Sequence, residues 1–224
     1  LVEDSPDLAV VLGGDGTMLR ALKRFLGAGV PVIGVNYGRV GFLASMGKED
    51  LEPGLGRAFD GEFEVVELPT LEVDVGGERH PAVNDVVAHS GVLGRMVELH
   101  WSVAGEDMGT VPCDGLIAST PSGSTAYNLS GGGPVLVWGL DAMAGTFVAP
   151  HLLPARPLVV PRTRELTVSN VTPDVEVALI ADGRQVAAIG QQEPVRIRLA
   201  GEVSLLATLP EMTFFRRYRD TFAS

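Results

Sequence analysis

The sequence has little cysteine and no long apolar run, and both absences exclude classes of protein. The single cysteine, Cys113, excludes an intrachain disulfide and a cysteine-rich metal site. No run of about 18 apolar residues occurs, so a transmembrane helix is not expected. Residues 1–6 also do not have the basic and apolar regions of a secretory signal peptide. A lone cysteine fits a reducing compartment, and we expect a cytoplasmic protein.

Basic residues are scarce as well. The chain has 17 Lys and Arg against 28 Asp and Glu, which gives a net charge of −11 and a pI near 4.8. Proteins that bind a phosphate backbone carry a basic face, so this balance argues against nucleic acid as the main partner. An anionic small molecule would have to be held by local donors, and no membrane partner is expected.

Several enzyme signatures are absent. There is no Gly-x-Ser-x-Gly elbow, as serine hydrolases have, and no Gly-Lys-Ser/Thr of a Walker loop. Leu19 stands where the dinucleotide fingerprint would need its third glycine after Gly14 and Gly16. The four histidines, at positions 80, 89, 100 and 151, do not have the spacing of a metal site.

The front of the chain has an α/β pattern. Two short apolar runs, 8–12 and 31–35, are typical of buried parallel strands. The segment between them has apolar residues at helical spacing, such as Met18 and Leu22, and ends in glycines. This order predicts a βαβ unit. A second helix is predicted over 48–60, although proline and glycine interrupt it.

Beyond about residue 62 the pattern changes to short β-rich segments. Segments 71–75 and 97–103 alternate apolar and polar residues. Five further strands are predicted, over 165–170, 175–181, 185–189, 194–199 and 202–209, with turns such as Asp182-Gly183 between them. Many short strands at regular spacing indicate a sandwich or a barrel. One helix is predicted among them, over 122–130.

We therefore predict an α/β domain over 1–64 and an all-β domain over 65–210. The tail, 211–224, is basic and aromatic, and we expect it to pack back on the first domain. Because the sequence does not begin with methionine, we also expect that it starts partway into the first domain.

The first motif with chemical potential is Gly-Gly-Asp-Gly-Thr at 13–17, between a strand and a helix. Its glycines allow backbone N–H groups to approach an anion, and the helix N-terminus favours negative charge there. A carboxylate at its centre, Asp15, would repel phosphate unless it has another task. That task is to accept a proton from an attacking hydroxyl or to hold Mg²⁺ through water. The alternative is that Asp15 only caps the helix.

Two further segments carry polar groups. Asn84 and Asp85 follow a predicted strand, and this pair would either grip a sugar diol or form a turn. The segment 114–134 is rich in small residues that leave room for a flat ligand, and its hydroxyls and Tyr127 would orient that ligand. The alternative for this segment is a capped helix N-terminus with the glycines 131–133 as its exit.

These motifs, in this order and together with Pro150-His151 and Arg156-Pro157, resemble the NAD kinase family over nearly the whole chain. The loop 13–17 is shared with diacylglycerol kinases, sphingosine kinases and phosphofructokinases. The stretch Thr-Pro-Ser-Gly-Ser-Thr-Ala-Tyr at 120–127 is much more specific. The resemblance implies phosphorylation of NAD to NADP with ATP or polyphosphate and a divalent metal such as Mg²⁺. It further implies a Rossmann-like α/β domain followed by a β-sandwich, in a homodimer or homotetramer.

The resemblance also implies roles for individual residues. Asp15 would be the general base on the adenosine ribose 2′-hydroxyl. The phosphates would lie near Gly14, Gly16, Thr17 and Arg20. Contacts with NAD would come from Asn84, Asp85, Arg95, Asp114, Thr125, Ala126, Tyr127, Asn128 and Ser130, with Ala149 facing the adenine and Arg184 closing the site. The resemblance implies no side chain of this chain as a direct metal ligand.

Two departures from the family pattern stand out. Most members have glutamate at the position of Asp85, so its reach toward the ribose is one methylene shorter. Many have arginine at the position of Pro112, which removes a cation near the ligand or a neighbouring subunit.

Two other functions remain open. A lipid kinase of the diacylglycerol or sphingosine type shares the loop 13–17, although it would be expected to show a basic or apolar patch for membranes. A non-catalytic dinucleotide sensor would use Asp15 only as a helix cap.

Overall fold

The computed structural model describes residues 6–38, 41–92, 94–151 and 155–222. The chain separates into two compact units, the first up to Leu68 and again from Glu202 onward, and the second from Pro69 to Gly201. Residues 65–68 and 202–210, assigned to the β domain from the sequence, thus lie in the first unit. The reason is that two long strands continue across the points of division.

The elements follow one another in chain order. The first unit contains β1 (Ala9–Leu12), α1 (Asp15–Arg24), β2 (Val32–Asn36), β3 (Met46–Gly47), α2 (Leu51–Phe59) and the start of β4 (Glu64–Val75). The second unit contains the rest of β4, then β5 (Glu78–Ala82), β6 (Asp85–Ser90), β7 (Val97–Val103), β8 (Glu106–Cys113), β9 (Gly115–Ser119), α3 (Tyr127–Ser130), β10 (Ala142–Val148), β11 (Leu158–Pro161), β12 (Leu166–Asn170), β13 (Val177–Ala181), β14 (Arg184–Ile189) and the first part of β15 (Pro194–Thr208). The end of β15 and α4 (Phe214–Phe222) return to the first unit.

The βαβ unit predicted at the front of the chain is confirmed. Strand β2 pairs in parallel with β1, with β3 and with the end of β15. Met18 and Leu22 of α1 are fully buried. A Cβ on Gly34 of β2 would lie 2.4 Å from the Met18 sulfur, so this glycine lets the helix approach the sheet. The loop 13–14 therefore joins the carboxyl end of β1 to the amino end of α1.

Helix α2 forms in spite of the residues that interrupt its pattern. Pro53 lies in the first helical turn, where its missing N–H leaves no hydrogen bond unmade. Gly54 faces β3, and a Cβ there would lie 2.6 Å from the sulfur of Met46. The close packing of helix and strand thus explains this glycine.

Helix α4 belongs to the first unit. The ring of Phe42 contacts those of Phe214 and Phe222, with centroid distances of 5.3 and 6.2 Å. Arg57 of α2 forms two hydrogen bonds with the Glu211 carboxylate, at 2.7 and 3.1 Å. Both side chains are about two-fifths exposed, at 38% and 42%, so this ion pair contributes little to stability.

The second unit is a β-sandwich, which decides between the sandwich and the barrel. One antiparallel sheet has the order β11-β10-β9-β6-β13-β14. The facing strands β15, β12, β7 and β8 are also antiparallel neighbours. Side chains of both sheets share one core, in which Trp101 and Phe147 meet edge to face at 5.3 Å. The predicted order, an α/β part followed by a β-sandwich, is confirmed.

Three predicted elements, two strands and a helix, were wrong in detail. The strands expected over 194–199 and 202–209 form the single strand β15. The helix expected over 122–130 is divided into a 3₁₀ turn, Gly123–Thr125, and the one-turn helix α3. Ala126 interrupts it with ψ of −124°, and Gly123 packs so closely on the backbone before β6 that a Cβ there would lie 2.0 Å from the Asn84 carbonyl oxygen. None of the helices in the described residues has the length and hydrophobicity that crossing a membrane requires.

Candidate functional site

The Asp15 carboxylate is held by a distant segment of the first unit. Asp15 is the first residue of α1, and the N-cap position belongs to Gly14, which has no side chain with which to cap the helix. The two carboxylate oxygens accept hydrogen bonds from the backbone N–H groups of Phe42, at 2.7 Å, and Leu43, at 3.1 Å. The capping interpretation of Asp15 is therefore wrong. A carboxylate has about four lone-pair sites, so these two bonds leave it able to accept more.

Gly41 allows this approach, and sequence reasoning missed it. A Cβ built on Gly41 would lie 2.1 Å from one Asp15 oxygen and 2.4 Å from Cγ. Only glycine fits at that distance. Backbone N–H donors occur in nearly every residue type, so the sequence does not reveal them. The one clue to this contact was Gly41 itself, in the segment 37–44, to which the sequence assigned no role.

The rest of the loop surrounds the start of α1. Thr17 accepts a hydrogen bond from the Arg20 guanidinium at 3.1 Å, so two of the predicted phosphate-side residues contact each other. A Cβ on Gly14 or Gly16 would meet no atom of the described residues within 4 Å, so these residues leave space open beside both glycines. A helix N-terminus with open backbone next to it is a favourable place for an anion.

In the second unit the structure brings together Asn84, Asp85 and the start of the segment 114–134. Asp85 opens β6, and in the sheet it lies opposite Ser119 of β9. The carbonyl of Asn84 accepts a hydrogen bond from the Thr120 N–H at 2.9 Å. Its side-chain oxygen accepts another from the Ser122 hydroxyl at 3.2 Å. Motifs about 35 residues apart in the sequence thus form one polar cluster, as adjacent strands require.

Asp182 supports this cluster and was interpreted from the sequence only as part of a turn. Asp182 and Gly183 have φ of 51° and 75°, as expected for the tight hairpin between β13 and β14. The Asp182 carboxylate accepts hydrogen bonds from the N–H groups of Val83 and Asn84, at 3.0 and 2.8 Å. The turn therefore fixes the backbone just before Asp85.

Burial changes the acidity of Asp85. Asp85 is only 7% exposed. Loss of hydration, with a smaller contribution from the negative charge of Asp182, raises the pKa of Asp85 from 3.8 to about 7. A group with this pKa exchanges its proton near neutral pH.

Replacing Asp85 with asparagine should make the protein more stable at pH 8 than the wild type. Between pH 4 and 7 the folded wild type binds more protons at this site than the unfolded chain, because its folded pKa is the higher one. The free energy of unfolding of the wild type therefore falls as pH rises through that window, by a few kcal/mol at most. The variant has no carboxyl group at this position, so its stability does not fall in this way. Urea unfolding at pH 5 and pH 8 measures the difference, with the exposed Asp60→Asn as the control. An equal effect of Asp85→Asn at both pH values would contradict the assignment.

The segment 123–134 is stabilised by its own polar groups. Asn128 is fully buried, donates to the carbonyls of Ser124 and Pro134, and accepts from the Thr146 hydroxyl at 2.7 Å. The Thr125 hydroxyl donates to the carbonyl of Ser122. The remaining predicted contacts of this segment are partly or largely exposed; they are Ala126, Tyr127 and Ser130.

The other predicted contacts lie on turns and strand ends of the same unit. Arg95 is exposed in the turn before β7, and Arg184 is exposed at the start of β14. Asp114 links β8 and β9, and its backbone N–H bonds to the carbonyl of Val148. Ala149 is exposed and has φ of 44°, a left-handed conformation that is uncommon for alanine.

Within the parts of the chain that the structure describes, no group of three or more His, Cys, Asp or Glu side chains is placed to hold a metal ion. Mg²⁺ often binds through one or two carboxylates together with the phosphates of a nucleotide, and a nucleotide-borne ion needs no such group.

Solved structures show the same fold. An NAD kinase from Archaeoglobus fulgidus, solved in complex with ATP, has a TM-score of 0.80 and 27% identity over 97% of this chain and 82% of its own. A yeast NADH kinase, solved with NADH, has a TM-score of 0.87 over 98% of this chain and 66% of its own. Its identity is 23%, so this second likeness concerns the fold alone.

Sequence comparison gives the family. The ATP-NAD kinase N-terminal domain matches residues 1–63, and the ATP-NAD kinase C-terminal domain matches residues 83–207. The NAD kinase of Gemmatimonas aurantiaca is 39% identical over 98% of this chain and 78% of its own length. That of Heliobacterium modesticaldum is 39% identical over 96% and 77%. The chain therefore belongs to the ATP-NAD kinase family, whose members phosphorylate NAD.

Proposed function

We propose that Asp15 is the general base of this NAD kinase and removes the proton of the adenosine ribose 2′-hydroxyl while ATP donates the phosphoryl group. The observation that carries the proposal is the geometry of its carboxylate. It lies at the carboxyl end of β1, where open α/β sheets bind ligands, and two backbone N–H groups fix its orientation. Its remaining lone pairs would accept the proton.

The reaction is an in-line phosphoryl transfer. The bond from the ribose 2′-oxygen to the γ-phosphorus forms as the bond from that phosphorus to the β,γ-bridging oxygen breaks. The proton of the hydroxyl passes to Asp15, and ADP leaves with the electron pair of the broken bond. Such transfers depend mainly on positioning and on neutralisation of charge, and the base contributes the remainder.

We assign NAD to the polar cluster of the second unit. Asn84 and Asp85 would bind a ribose, and the open segment around Tyr127 would receive the flat rings. The position of Asn84 is fixed, because both Asp182 and Ser122 form hydrogen bonds with it. Asp85 would accept from sugar hydroxyls in its ionised form, so we expect NAD to bind more tightly as pH rises through about 7.

The phosphoryl donor is assigned to the loop 13–17 and Arg20. ATP would bring its own Mg²⁺ as the metal–nucleotide complex. Polyphosphate remains a second donor in this proposal. The proposal further includes a homodimer or homotetramer, which rests on the family resemblance described above, and a cytoplasmic location, which rests on the single cysteine.

An assay of NADP formation with purified protein tests the proposal. We expect NADP to form from NAD with Mg²⁺ and ATP, and the same assay with polyphosphate compares the donors. Diacylglycerol in place of NAD is the control for a lipid kinase. Calorimetry with NAD and ATP completes the test. Binding of both ligands without NADP formation would support the function of a non-catalytic sensor and would overturn the proposed catalytic role of Asp15.

A further inference from the structure

A buried cation lies in the same unit as the Asp15 carboxylate. Arg217 of α4 is only 3% exposed. Burying a charged side chain is unfavourable unless hydrogen bonds replace its hydration. Such a residue is retained more readily when its hydrogen bonds have a task that an apolar side chain could not perform.

The guanidinium joins two parts of the chain. It donates to the carbonyls of Phe42, at 3.1 Å, and Ala44, and to the Ser45 hydroxyl at 3.3 Å. It also donates to the Thr208 hydroxyl at 2.6 Å and to the carbonyl of Met212 at 3.0 Å. These five bonds match the five N–H donors of arginine, so the segment 42–45 is fastened to the end of β15 and the start of α4.

The fastened segment is the one that holds Asp15. Phe42 donates its N–H to the Asp15 carboxylate and offers its carbonyl to Arg217. Leu43, the other residue that donates to Asp15, lies between the two carbonyls that Arg217 binds. The Phe42 carbonyl and the Leu43 N–H belong to one peptide group, so the guanidinium holds the Leu43 donor directly, and it fixes the residue that carries the Phe42 donor.

The electrostatics agree with this geometry. Burial lowers the pKa of Arg217 to about 10, and the negative charge of Asp15 opposes that change. Arg217 thus stays positively charged at neutral pH and lies near enough to Asp15 for their charges to interact. The rings of Phe214 and Phe222, from the same helix, pack on Phe42 and restrict the segment further.

We propose that Arg217 is a positioning residue for the reaction, because it fastens the segment 42–45, in which the N–H groups of Phe42 and Leu43 orient the Asp15 carboxylate. This inference rests on the proposed role of Asp15 as the base. Arg217 itself touches neither substrate in the proposal, so its effect should appear in turnover and not in substrate binding.

The test compares Arg217→Met with Arg216→Met. Arg216 is the neighbouring residue of α4, is 46% exposed, and lies 3.7 Å from Asp220, so its variant removes the same charge from the surface. We expect Arg217→Met to lower kcat by about 10- to 100-fold, as a displaced catalytic group does, with KM for NAD and ATP changed by less than about threefold. Arg216→Met should stay within about twofold of wild type. Arg217→Lys keeps the charge but not the forked donors, and it should recover part of the lost kcat.

The combination with Asp15→Asn separates positioning from general structural support. If Arg217 acts through Asp15, adding Arg217→Met to Asp15→Asn should lower kcat by less than about twofold more. The inference would be overturned if the double variant lost kcat by the product of the two single-variant factors. It would also be overturned if Arg217→Met kept the wild-type kcat. If Arg217→Met does not fold, Arg217→Lys takes its place in the same cycle. Full activity of Asp15→Asn alone would instead overturn the proposed base, whatever Arg217 does.

Discussion

Replacing Asp15 with asparagine should lower kcat by about 10²- to 10⁴-fold, the usual contribution of a general base. Asparagine has nearly the same shape, but its amide cannot take up the proton of the ribose hydroxyl. NAD is assigned to residues of the second unit, so its dissociation constant should change little. NADP formation measured at saturating NAD and ATP gives kcat, and calorimetry with NAD gives the affinity.

The control must account for the structural bonds of Asp15. Asparagine offers one oxygen where two backbone N–H groups, those of Phe42 and Leu43, now have acceptors, so some stability will be lost as well. Thermal unfolding of the variant shows how much protein is folded in the assay. Asp60→Asn removes an exposed carboxylate of the same unit and should leave kcat unchanged. If folded Asp15→Asn protein kept nearly the wild-type kcat, Asp15 would not be the general base.

The sequence was informative where local chemistry determines local structure. An apolar run, a glycine-rich loop and helical spacing predict β1, α1 and the loop between them, because each depends on residues close together in the chain. The alternation of short β segments predicts a sandwich or a barrel for the same reason, and only the pairing of distant strands decides between them. The division of the helix expected over 122–130 was not predictable, since it follows from the packing of Gly123 against the Asn84 carbonyl. That contact joins residues far apart in the sequence.

The surroundings of the carboxylate show the same limit. Asp15 was found from its motif, but the donors that hold it are backbone N–H groups, which every residue except proline carries. Arg217 stood in a basic, aromatic tail that was expected to pack back on the first domain, but only the structure shows that Arg217 is buried and binds the segment 42–45. Asp182 was recognised as a turn residue, while its bonds to Val83 and Asn84 depend on pairing of β13 with β6.

Replacing Gly41 with alanine should nearly abolish turnover, with a loss of at least about 10²-fold in kcat. The new Cβ would lie 2.1 Å from one oxygen of Asp15 and 2.6 Å from the other, so the carboxylate or the segment must move. Displacement of a reacting group by about 1 Å is enough for such a loss. The same NADP assay measures it, and Gly38→Ala is the matched control, since among the described residues its Cβ would meet only the Asn36 side chain, at 3.9 Å.

Stability measurements show whether the clash with Asp15 is the cause. Overpacking of this kind costs about 1–3 kcal/mol, so Gly41→Ala should lower the melting temperature. Adding Asp15→Ala removes the carboxylate that the methyl group meets, and the double variant should regain much of the lost stability without regaining turnover. If the double variant stays as unstable as Gly41→Ala, the strain lies elsewhere. If Gly41→Ala keeps wild-type kcat, the orientation of Asp15 by this segment is not required for the reaction.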